Sequence, residues 1–241
     1  MKIALSVEFG HDDQLIFAQQ LGVNHVLVRT SQIWDIEIIE NIKNRVTQCG
    51  LVLAGLEGFE PENKHALNFV TAASNTGITL ISTFNSGHSH SIQEPTGRGK
   101  ALVSSVTKKN HTEPNDSLVQ FAEKSNVNIA WTYPYPGNKS PGGIDLQIGE
   151  LNETHENHLA QINTPIFIAR IGNRLGKTRS FIDDGDISIP QTLCSLRSLG
   201  FSGYVAATPP PSMIDDTDWG HKGRSHDVGY LKAIIQTLES S

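Results

Sequence analysis

The sequence lacks several features that would assign it to a specialised class of protein. It has no run of about eighteen or more apolar residues, so we expect no membrane span. The first ten residues, MKIALSVEFG, have a short apolar stretch and no small-residue cleavage site, so they are predicted to be a first strand and not a signal peptide. The sequence also contains no internal repeat.

Cysteine and positive charge are also scarce. The two cysteines, Cys49 and Cys194, each lie in the last turns of a predicted helix, without CxxC spacing. We expect both to be buried free thiols, which favours a reducing, cytoplasmic location. The formal net charge of −6 argues against a dedicated nucleic-acid-binding protein, since such proteins usually have a basic face.

Apolar strand-like runs alternate with helical patterns along the 241 residues. This alternation implies right-handed crossovers and a parallel sheet, and eight such units favour a closed (β/α)8 TIM barrel. We expect a single domain over residues 1–241. The predicted strands are residues 3–7, 25–29, 51–56, 78–83, 127–132, 165–171, 180–182 and 204–208. The predicted helices are residues 12–21, 35–49, 61–75, 114–125, 153–162, 190–199 and 225–238.

In a barrel of this kind, chemistry is expected at the carboxyl ends of the strands. Two long connections, residues 84–113 and 133–152, follow predicted strands and are therefore expected at that face. The residues predicted to lie at strand ends are Glu8, Arg29, Glu57, Asn85, Thr132, Tyr133, Arg170, Asp183 and Thr208.

The last third of the chain contains SFIDDGDISIP, LGFSGYVAATPPP and WGHKGRSHDVGY. These phrases resemble the F-x-D-x-GD-x-D, G-(F/Y)-x-G and W-x-x-RGRA-x-x-LGY patterns of D-mannonate dehydratases, which belong to the xylose isomerase-like TIM-barrel superfamily. TGRGKALVSS likewise resembles the family phrase R-x-GRGGA-x-x-TSF. The resemblance implies a xylose isomerase-like barrel. It also implies a lyase (dehydratase) or isomerase of carbohydrate metabolism that acts on a sugar acid or sugar.

The metal ligands that the resemblance implies are missing from this chain. Where relatives have the histidine of A-L-H-P-D-D-P this chain has Thr132, and where they have the histidine of H-x-R it has Ile168. The aspartate of P-D-H is replaced by Thr208. We therefore expect no metal and no cofactor, with manganese bound only if the site has been rebuilt. His88 and His90 are weak candidates for such a rebuilt site, and the alternative is a solvated loop.

Several polar residues remain as candidates for a site, each with a structural alternative. Glu57 and Glu8 could act as general base and acid, or could face solvent as ordinary charged strand ends. Arg98 is flanked by Gly97 and Gly99, which let a ligand approach the backbone. Arg170 lies near the end of the predicted strand over residues 165–171, where it could bind substrate.

The remaining candidates lie in loops. Tyr133 and Tyr135 could stack on a sugar or serve only in packing. Arg224 and His221 could bind an acid, or Arg224 could hold loop carbonyls or pair with an aspartate. The acidic cluster of Asp183, Asp184 and Asp186 could bind an ion, or form a turn that precedes a helix.

Three functions remain open at this stage. The first is a sugar-acid lyase or sugar isomerase with an altered or lost metal site. The second is a non-catalytic protein that binds a carbohydrate or small acid, and the third is a scaffold that binds another protein. The expected partner is a small acidic or sugar-like molecule, with no nucleic acid and no membrane, and the chain could form a homo-oligomer.

Overall fold

The computed structural model describes residues 1–29, 35–84, 93–96, 101–104, 114–133, 142–150, 159, 161–176 and 178–240. The strands are β1 (Lys2–Glu8), β2 (His25–Arg29), β3 (Val52–Glu57), β4 (Leu80–Ser82), β5 (Gln93–Thr96), β6 (Ala101–Ser104), β7 (Asn128–Tyr133), β8 (Gly143–Gln147), β9 (Ile166–Ile171), β10 (Asn173–Leu175), β11 (Thr178–Ser180) and β12 (Tyr204–Ala207). The α-helices are α1 (Asp12–Gln20), α2 (Ile36–Gln48), α3 (Ala66–Asn75), α4 (Asp116–Lys124), α5 (Ile189–Ser198) and α6 (His221–Ser240), and a 3₁₀-helix spans Ile148–Glu150.

Eight of these strands form a closed parallel barrel in the order β1, β2, β3, β4, β7, β8, β9 and β12. The barrel closes where β12 pairs with β1, so that Tyr204 lies beside Lys2. α1, α2 and α3 lie between successive strands from β1 to β4, α4 lies between β4 and β7, and α5 lies between β9 and β12, as the alternating pattern predicts. The prediction of a TIM barrel is therefore confirmed. None of the helices in the described ranges combines the length and apolar character that a membrane span requires.

One predicted barrel strand, residues 180–182, is wrong. The chain there forms the hairpin of β10 and β11, in which Asn173 pairs antiparallel with Ser180. The barrel strand is instead β8, which lies within the connection predicted over residues 133–152. Its inward positions are Gly143, Asp145 and Gln147, so the strand has no apolar side chain on its inner face and resembles a loop in sequence. The predicted helix 153–162 lies mostly outside the described residues.

The interior of the barrel has an apolar layer below a polar one. The apolar layer consists of buried Ala4, Leu27, Ala54, Leu80, Ala130, Ile168 and Ala206. Side chains two residues apart share a face of a strand, so the next inward positions toward the carboxyl ends carry different chemistry. The buried residues above the apolar layer, here called the polar layer, are Ser6, Glu57, Ser82, Asp145 and Arg170.

Two register shifts interrupt the regular pairing of the barrel strands. One lies in β3 at Ala54, and the other lies in β9 at Phe167, where β8 pairs with Ile166 and then with Ile168. A Cβ atom at Gly143 would lie 2.1 Å from the Phe167 ring. A glycine is therefore required at the start of β8, because the bulge directs the aromatic ring against its backbone.

The ends of α2 and α5 agree with the sequence prediction, whereas the burial of the two cysteines does not. Gly50 and Gly200 follow α2 and α5 with positive φ angles, as predicted for residues that terminate helices. Asp35 caps the N-terminus of α2, and its carboxylate accepts a hydrogen bond of 2.9 Å from the Ile38 amide. The predicted burial of the cysteines is wrong, since Cys49 is half-buried and Cys194 is exposed, although both are free thiols.

The last helix, α6, begins four residues before the predicted position because Asp216 binds its first amides. The Asp216 carboxylate accepts hydrogen bonds from the backbone amides of Lys222 (2.9 Å) and Gly223 (3.1 Å). Partial burial acts to raise the pKa of Asp216, but these hydrogen bonds outweigh it and lower the pKa below the ordinary value. The ionised carboxylate is therefore the form that stabilises the helix.

We expect Asp216→Ala to lower the free energy of unfolding by about 1 kcal/mol at pH 7. The pKa of Asp216 is lowered in the folded state, so its contribution is present above the unfolded-state pKa and disappears as the pH falls through the folded-state pKa. Urea unfolding of both proteins between neutral and strongly acidic pH tests this expectation. The exposed Asp218→Ala is the matched control, and a pH-independent difference for Asp216→Ala would contradict the capping role.

Candidate functional site

The centre of the polar layer is a buried ion pair between Arg170 and Asp145. Arg170 Nε donates to both carboxylate oxygens of Asp145, at 2.9 and 3.0 Å, and Nη2 donates to Oδ2 at 2.8 Å. Both side chains are almost completely shielded from solvent. Arg170 reaches this position because it follows Ile168 by two residues on the inner face of β9.

A second carboxylate, Glu57, binds the same guanidinium. Arg170 Nη2 lies 2.5 Å from Glu57 Oε1, and Nη1 donates to Ser6 Oγ at 3.0 Å. The Ser6 hydroxyl in turn donates to Glu57 Oε1 at 2.8 Å. Glu57 ends β3 and is fully buried, so the alternative of a solvent-facing strand end is wrong for this residue. We refer to Glu57 and Asp145 as the carboxylate pair.

Neighbouring groups hold this cluster in one arrangement. Ser82 Oγ donates to Asp145 Oδ2 at 2.6 Å, and Gln147 Nε2 donates to Asp145 Oδ1 at 2.9 Å. The Phe84 ring covers one face of the guanidinium, with its centroid 3.6 Å from the Arg170 Cζ. This contact restricts the plane of the guanidinium and adds a favourable interaction between its charge and the ring.

The electrostatics of the cluster are dominated by burial and by unequal charge. Burial raises the pKa of Asp145, and the Arg170 guanidinium and the Ser82 hydroxyl oppose that shift. Burial acts to lower the pKa of Arg170, but Asp145 and Glu57 outweigh it and raise the pKa. One guanidinium therefore faces two carboxyl groups, which leaves it with too little positive charge to neutralise both when they are ionised.

One carboxylate oxygen of the pair is available for a further interaction. Glu57 Oε1 is bound by Arg170 and Ser6, but within the described residues Oε2 is buried and accepts no hydrogen bond. A buried carboxylate oxygen without a donor is costly, because it has lost water and gained nothing in return. Such an atom is a natural acceptor for a ligand hydroxyl.

Further charged groups lie at the rim of the barrel, close to Glu57. Arg224 is buried, stacks on the Trp219 ring with its Cζ 4.3 Å from the centroid, and donates from Nε to the Trp219 carbonyl at 2.8 Å. Burial and the nearby Arg29 guanidinium lower the pKa of Arg224 to about 10, which the Asp227, Glu57 and Glu8 carboxylates oppose. Arg29 Nη2 lies 3.9 Å from Glu8 Oε1. Two guanidinium groups therefore stand close together near Glu57.

The other candidates from sequence are distributed differently. His221 lies where α1 meets α6, with its ring centroid 4.8 Å from those of Phe17 and Trp219 and its Nδ1 at 2.5 Å from Thr217 Oγ1. Tyr133 packs against the apolar cluster outside the barrel. The contact of Tyr133 agrees with its alternative of packing, and substrate binding by His221 and Tyr133 stays a prediction. Arg98, Tyr135, His88 and His90 lie outside the described residues.

The residues at the family's metal positions do not fit a divalent ion. Thr132 Oγ1 pairs with Thr83 Oγ1 at 3.0 Å, and Thr208 Oγ1 lies 3.5 Å from the Ile171 carbonyl. Ile168 lies in the apolar layer and not at the barrel mouth, where the alignment placed it. In the part of the chain that the structure describes, no three His, Cys, Asp or Glu side chains are grouped as metal ligands.

The acidic segment after β11 forms a turn that contacts α6. Asp186 Oδ2 accepts a hydrogen bond of 2.6 Å from the Gly176 amide. Asp183 Oδ1 lies 3.6 Å from His226 Nε2, and His226 Nδ1 lies 3.2 Å from Asp227 Oδ1. These contacts agree with the alternative of a structural turn for the acidic cluster. Sequence reasoning did not identify His226 or Asp227 as part of this network.

Two hairpins inserted after barrel strands meet beyond the carboxyl ends of the strands. The hairpin of β5 and β6 follows β4, the hairpin of β10 and β11 follows β9, and β11 contacts both strands of the first hairpin. Both hairpins therefore follow the carboxyl ends of barrel strands, the end at which the polar layer lies.

The closed barrel and its residues define the class of protein: the chain has the fold of the xylose isomerase-like TIM barrels. It is similar to the mannonate dehydratase from Streptococcus suis serotype 2, with a TM-score of 0.72 and 13% sequence identity over 97% of this chain and 93% of that chain. It is also similar to a xylose isomerase domain protein from Alicyclobacillus acidocaldarius, with a TM-score of 0.60 and 15% identity over 98% of each chain.

A third similar structure is a sugar phosphate isomerase/epimerase from Parabacteroides distasonis, with a TM-score of 0.55 and 10% identity over 97% of this chain and 94% of that chain. No protein-family model and no curated protein matches the sequence. At these identities the similarity establishes the fold, and function has to be argued from the residues of the site.

Proposed function

We propose that the mouth of the barrel binds a small hydroxylated acid of the sugar-acid kind. The observation that carries this proposal is the buried Glu57 Oε2, which accepts no hydrogen bond from the described residues. A ligand hydroxyl would donate to that oxygen. The acid group of the ligand would lie at the rim, where Arg29 and Arg224 supply positive charge.

Two further observations support this assignment. A buried acceptor lies close to two cations, which suits a molecule that carries both hydroxyl groups and an acid group. The named similar structures include a mannonate dehydratase and a sugar phosphate isomerase/epimerase, whose names refer to a sugar acid and to sugar phosphates. In this proposal arginine side chains, and not a metal ion, neutralise the acid.

Titration calorimetry with a panel of hexonic and hexuronic acids tests the proposal, with the corresponding neutral sugars as controls for charge. We expect the acids to bind and the neutral sugars to bind at least about tenfold more weakly, since a charge-assisted hydrogen bond contributes about 1.5–3 kcal/mol. Equal affinity for acids and neutral sugars, or no binding by either, would contradict the assignment.

Glu57→Gln is expected to weaken binding of the acids by about tenfold, because the neutral amide is a poorer acceptor for the ligand hydroxyl. The matched control is Glu40→Gln, which makes the same chemical change at an exposed position on α2. Calorimetry of both variants with the best ligand of the panel provides the measurement. Unchanged affinity in Glu57→Gln would remove Glu57 from the site.

A second candidate function is a lyase or isomerase reaction on the same ligand. The observation that favours it is the arrangement of Glu57, whose Oε1 is held by Ser6 and Arg170 while Oε2 accepts no hydrogen bond from the described residues. Glu57 would take a proton from the substrate, and Glu8, about a third exposed at the end of β1, would return one.

We expect D-mannonate dehydration to be undetectable with added manganese, because Thr132, Ile168 and Thr208 provide none of the ligands that such an ion needs. Product formation followed by chromatography, with and without manganese, tests this expectation. Turnover of any panel acid that is independent of manganese and absent in Glu57→Gln would favour the catalytic function. Robust manganese-dependent dehydration would contradict the assignment of the site.

A further inference from the structure

A cavity of about 500 Å³ opens at the amino end of the barrel. Its lining includes Leu80, Asn128, Ile166 and Tyr204, which are the first residues of β4, β7, β9 and β12. Because the barrel strands are parallel, these residues lie at one end of the barrel, whereas Glu57 is the last residue of its strand and lies toward the other. The cavity is therefore separate from the candidate site, and its volume is typical of small-molecule sites.

Small side chains inside the barrel leave room for this cavity. It reaches Ala54 and Leu80, which belong to the apolar layer. Four of the seven residues of that layer are alanines. Large branched residues usually fill the interior of such barrels, so a layer rich in alanine leaves volume that they would occupy. The cavity is thus a consequence of the strand sequences, and it extends as far as the apolar layer.

Aromatic side chains form part of the wall of the cavity. Phe167 and Tyr204 line it, pack against the apolar layer and are only partly buried. Phe201 also lines the cavity, and a Cβ atom at Gly203 would lie 2.6 Å from its ring, so this ring lies against the glycine backbone. A wall of aromatic rings, two of them partly accessible, offers contact area to a further apolar ring.

No charged side chain lines the cavity among the described residues, which distinguishes it from the mouth of the barrel. Its polar side chains carry hydroxyl and amide groups and are those of Thr79, Asn128, Thr164, Ser202 and Tyr204. Lys2 Nζ lies 5.9 Å from the centroid of the Tyr204 ring but is not part of the lining. An ionic ligand would lose hydration in the cavity without gaining a partner of opposite charge. The lining therefore favours an uncharged ligand that can form hydrogen bonds.

We propose that the amino end of the barrel contains a second binding site, and that this site takes an uncharged aromatic molecule with a hydroxyl group. The aromatic ring packs against Phe167 and Tyr204, and the hydroxyl group forms hydrogen bonds with the uncharged polar side chains of the lining. The proposal does not depend on the ligand of the mouth, because the two sites lie at opposite ends of the barrel.

Titration calorimetry of the full chain with 2-naphthol, an uncharged aromatic alcohol at pH 7, tests the proposal. We expect one molecule to bind with a Kd on the order of 10⁻⁴ M, which suits a probe with so few atoms. Naphthoate with the same ring and a carboxylate in place of the hydroxyl group is expected to bind at least about tenfold more weakly. The acids of the calorimetric panel should leave naphthol binding unchanged.

Two variants locate the bound probe. Ala54→Leu fills the inner end of the cavity, and Ser202→Trp places a large ring at an exposed position of its lining. Each variant is expected to weaken naphthol binding at least about tenfold, because it removes volume that the probe needs. Ser212→Trp is the matched control, since Ser212 is exposed in the loop that follows β12 at its carboxyl end, and it should keep the wild-type affinity.

Absence of naphthol binding by the wild-type chain would overturn the proposal. Equal affinity for naphthoate would also overturn it, since the cavity would then accept an acid beside Lys2. Unchanged affinity in a folded Ala54→Leu protein would show that naphthol binds elsewhere. If Ala54→Leu does not fold, the Ser202→Trp protein decides in the same way, because its substitution lies at the surface.

Discussion

Arg170→Met is expected to lower the free energy of unfolding by about 3–5 kcal/mol at pH 7, because it leaves two buried carboxyl groups without their cation. Both carboxyl groups are fully buried, so solvent cannot replace the lost interaction. The methionine retains most of the apolar stem, so the loss reports on the charge and the hydrogen bonds more than on packing.

The loss should depend on pH in a defined direction. Burial already raises the pKa of Asp145, and the guanidinium is the main opposing influence, so its removal raises that pKa further. A carboxyl group whose pKa is raised by folding stabilises the protein below its unfolded-state pKa, and this contribution is lost as the pH rises through the folded-state pKa. The variant should therefore approach the wild-type stability as the pH falls from 7 toward about 4.

Chemical unfolding of both proteins across this pH range provides the measurement. Arg45→Met is the matched control, since Arg45 forms an exposed ion pair with Asp12 and should contribute less than about 1 kcal/mol. A comparable loss in the two variants, or a loss at Arg170 that does not change with pH, would show that the buried cluster is not stabilised by its charges.

The barrel could be predicted from sequence because most of its strands have an apolar inner or outer face. β2 is an example: it consists of the run HVLVR, and its residues Val26, Leu27 and Val28 are buried. β8 could not be predicted in this way. Its inner face has Gly143, Asp145 and Gln147, and only Ile144 and Leu146 on the outer face are apolar. A pattern this short does not distinguish a strand from a loop.

The same cause explains why part of the site was missed. Glu57 and Arg170 were identified because each ends a clearly apolar strand. Asp145 lies on the strand that was not recognised, so the partner that binds Arg170 most extensively was not predicted. The one available signal was an acidic residue between two apolar neighbours, Ile144 and Leu146, in the pattern of an inward-facing position.

The role of Arg224 could not be predicted from sequence alone. From sequence, Arg224 could either bind an acid or hold loop carbonyls, and the two alternatives predict different effects on stability. The structure shows the carbonyl contact: Nε donates to the Trp219 carbonyl, which lies two residues before α6 begins, while the charge stands near Glu57. Arg224 therefore has both a structural contact, with the Trp219 carbonyl, and a charge close to Glu57.

Arg224→Ala is expected to lower the free energy of unfolding by about 2–4 kcal/mol, through loss of the charged hydrogen bond to the Trp219 carbonyl and of the stacking on its ring. For a chain of this length, that corresponds to a fall in Tm of about 5–12 °C. The same change should weaken binding of the best acid of the panel by about tenfold, because one of the two rim charges is removed.

A second variant separates the two effects. Trp219→Leu removes the ring on which Arg224 stacks but leaves the guanidinium and the backbone carbonyl, so it should lower the Tm while largely preserving acid affinity. Differential scanning calorimetry and titration calorimetry of both variants provide the measurements. If Arg224→Ala lowers the Tm and leaves acid affinity unchanged, Arg224 serves only to hold the loop. If it weakens binding without lowering the Tm, the contact with the Trp219 carbonyl contributes little to folding, and the guanidinium acts mainly on the ligand.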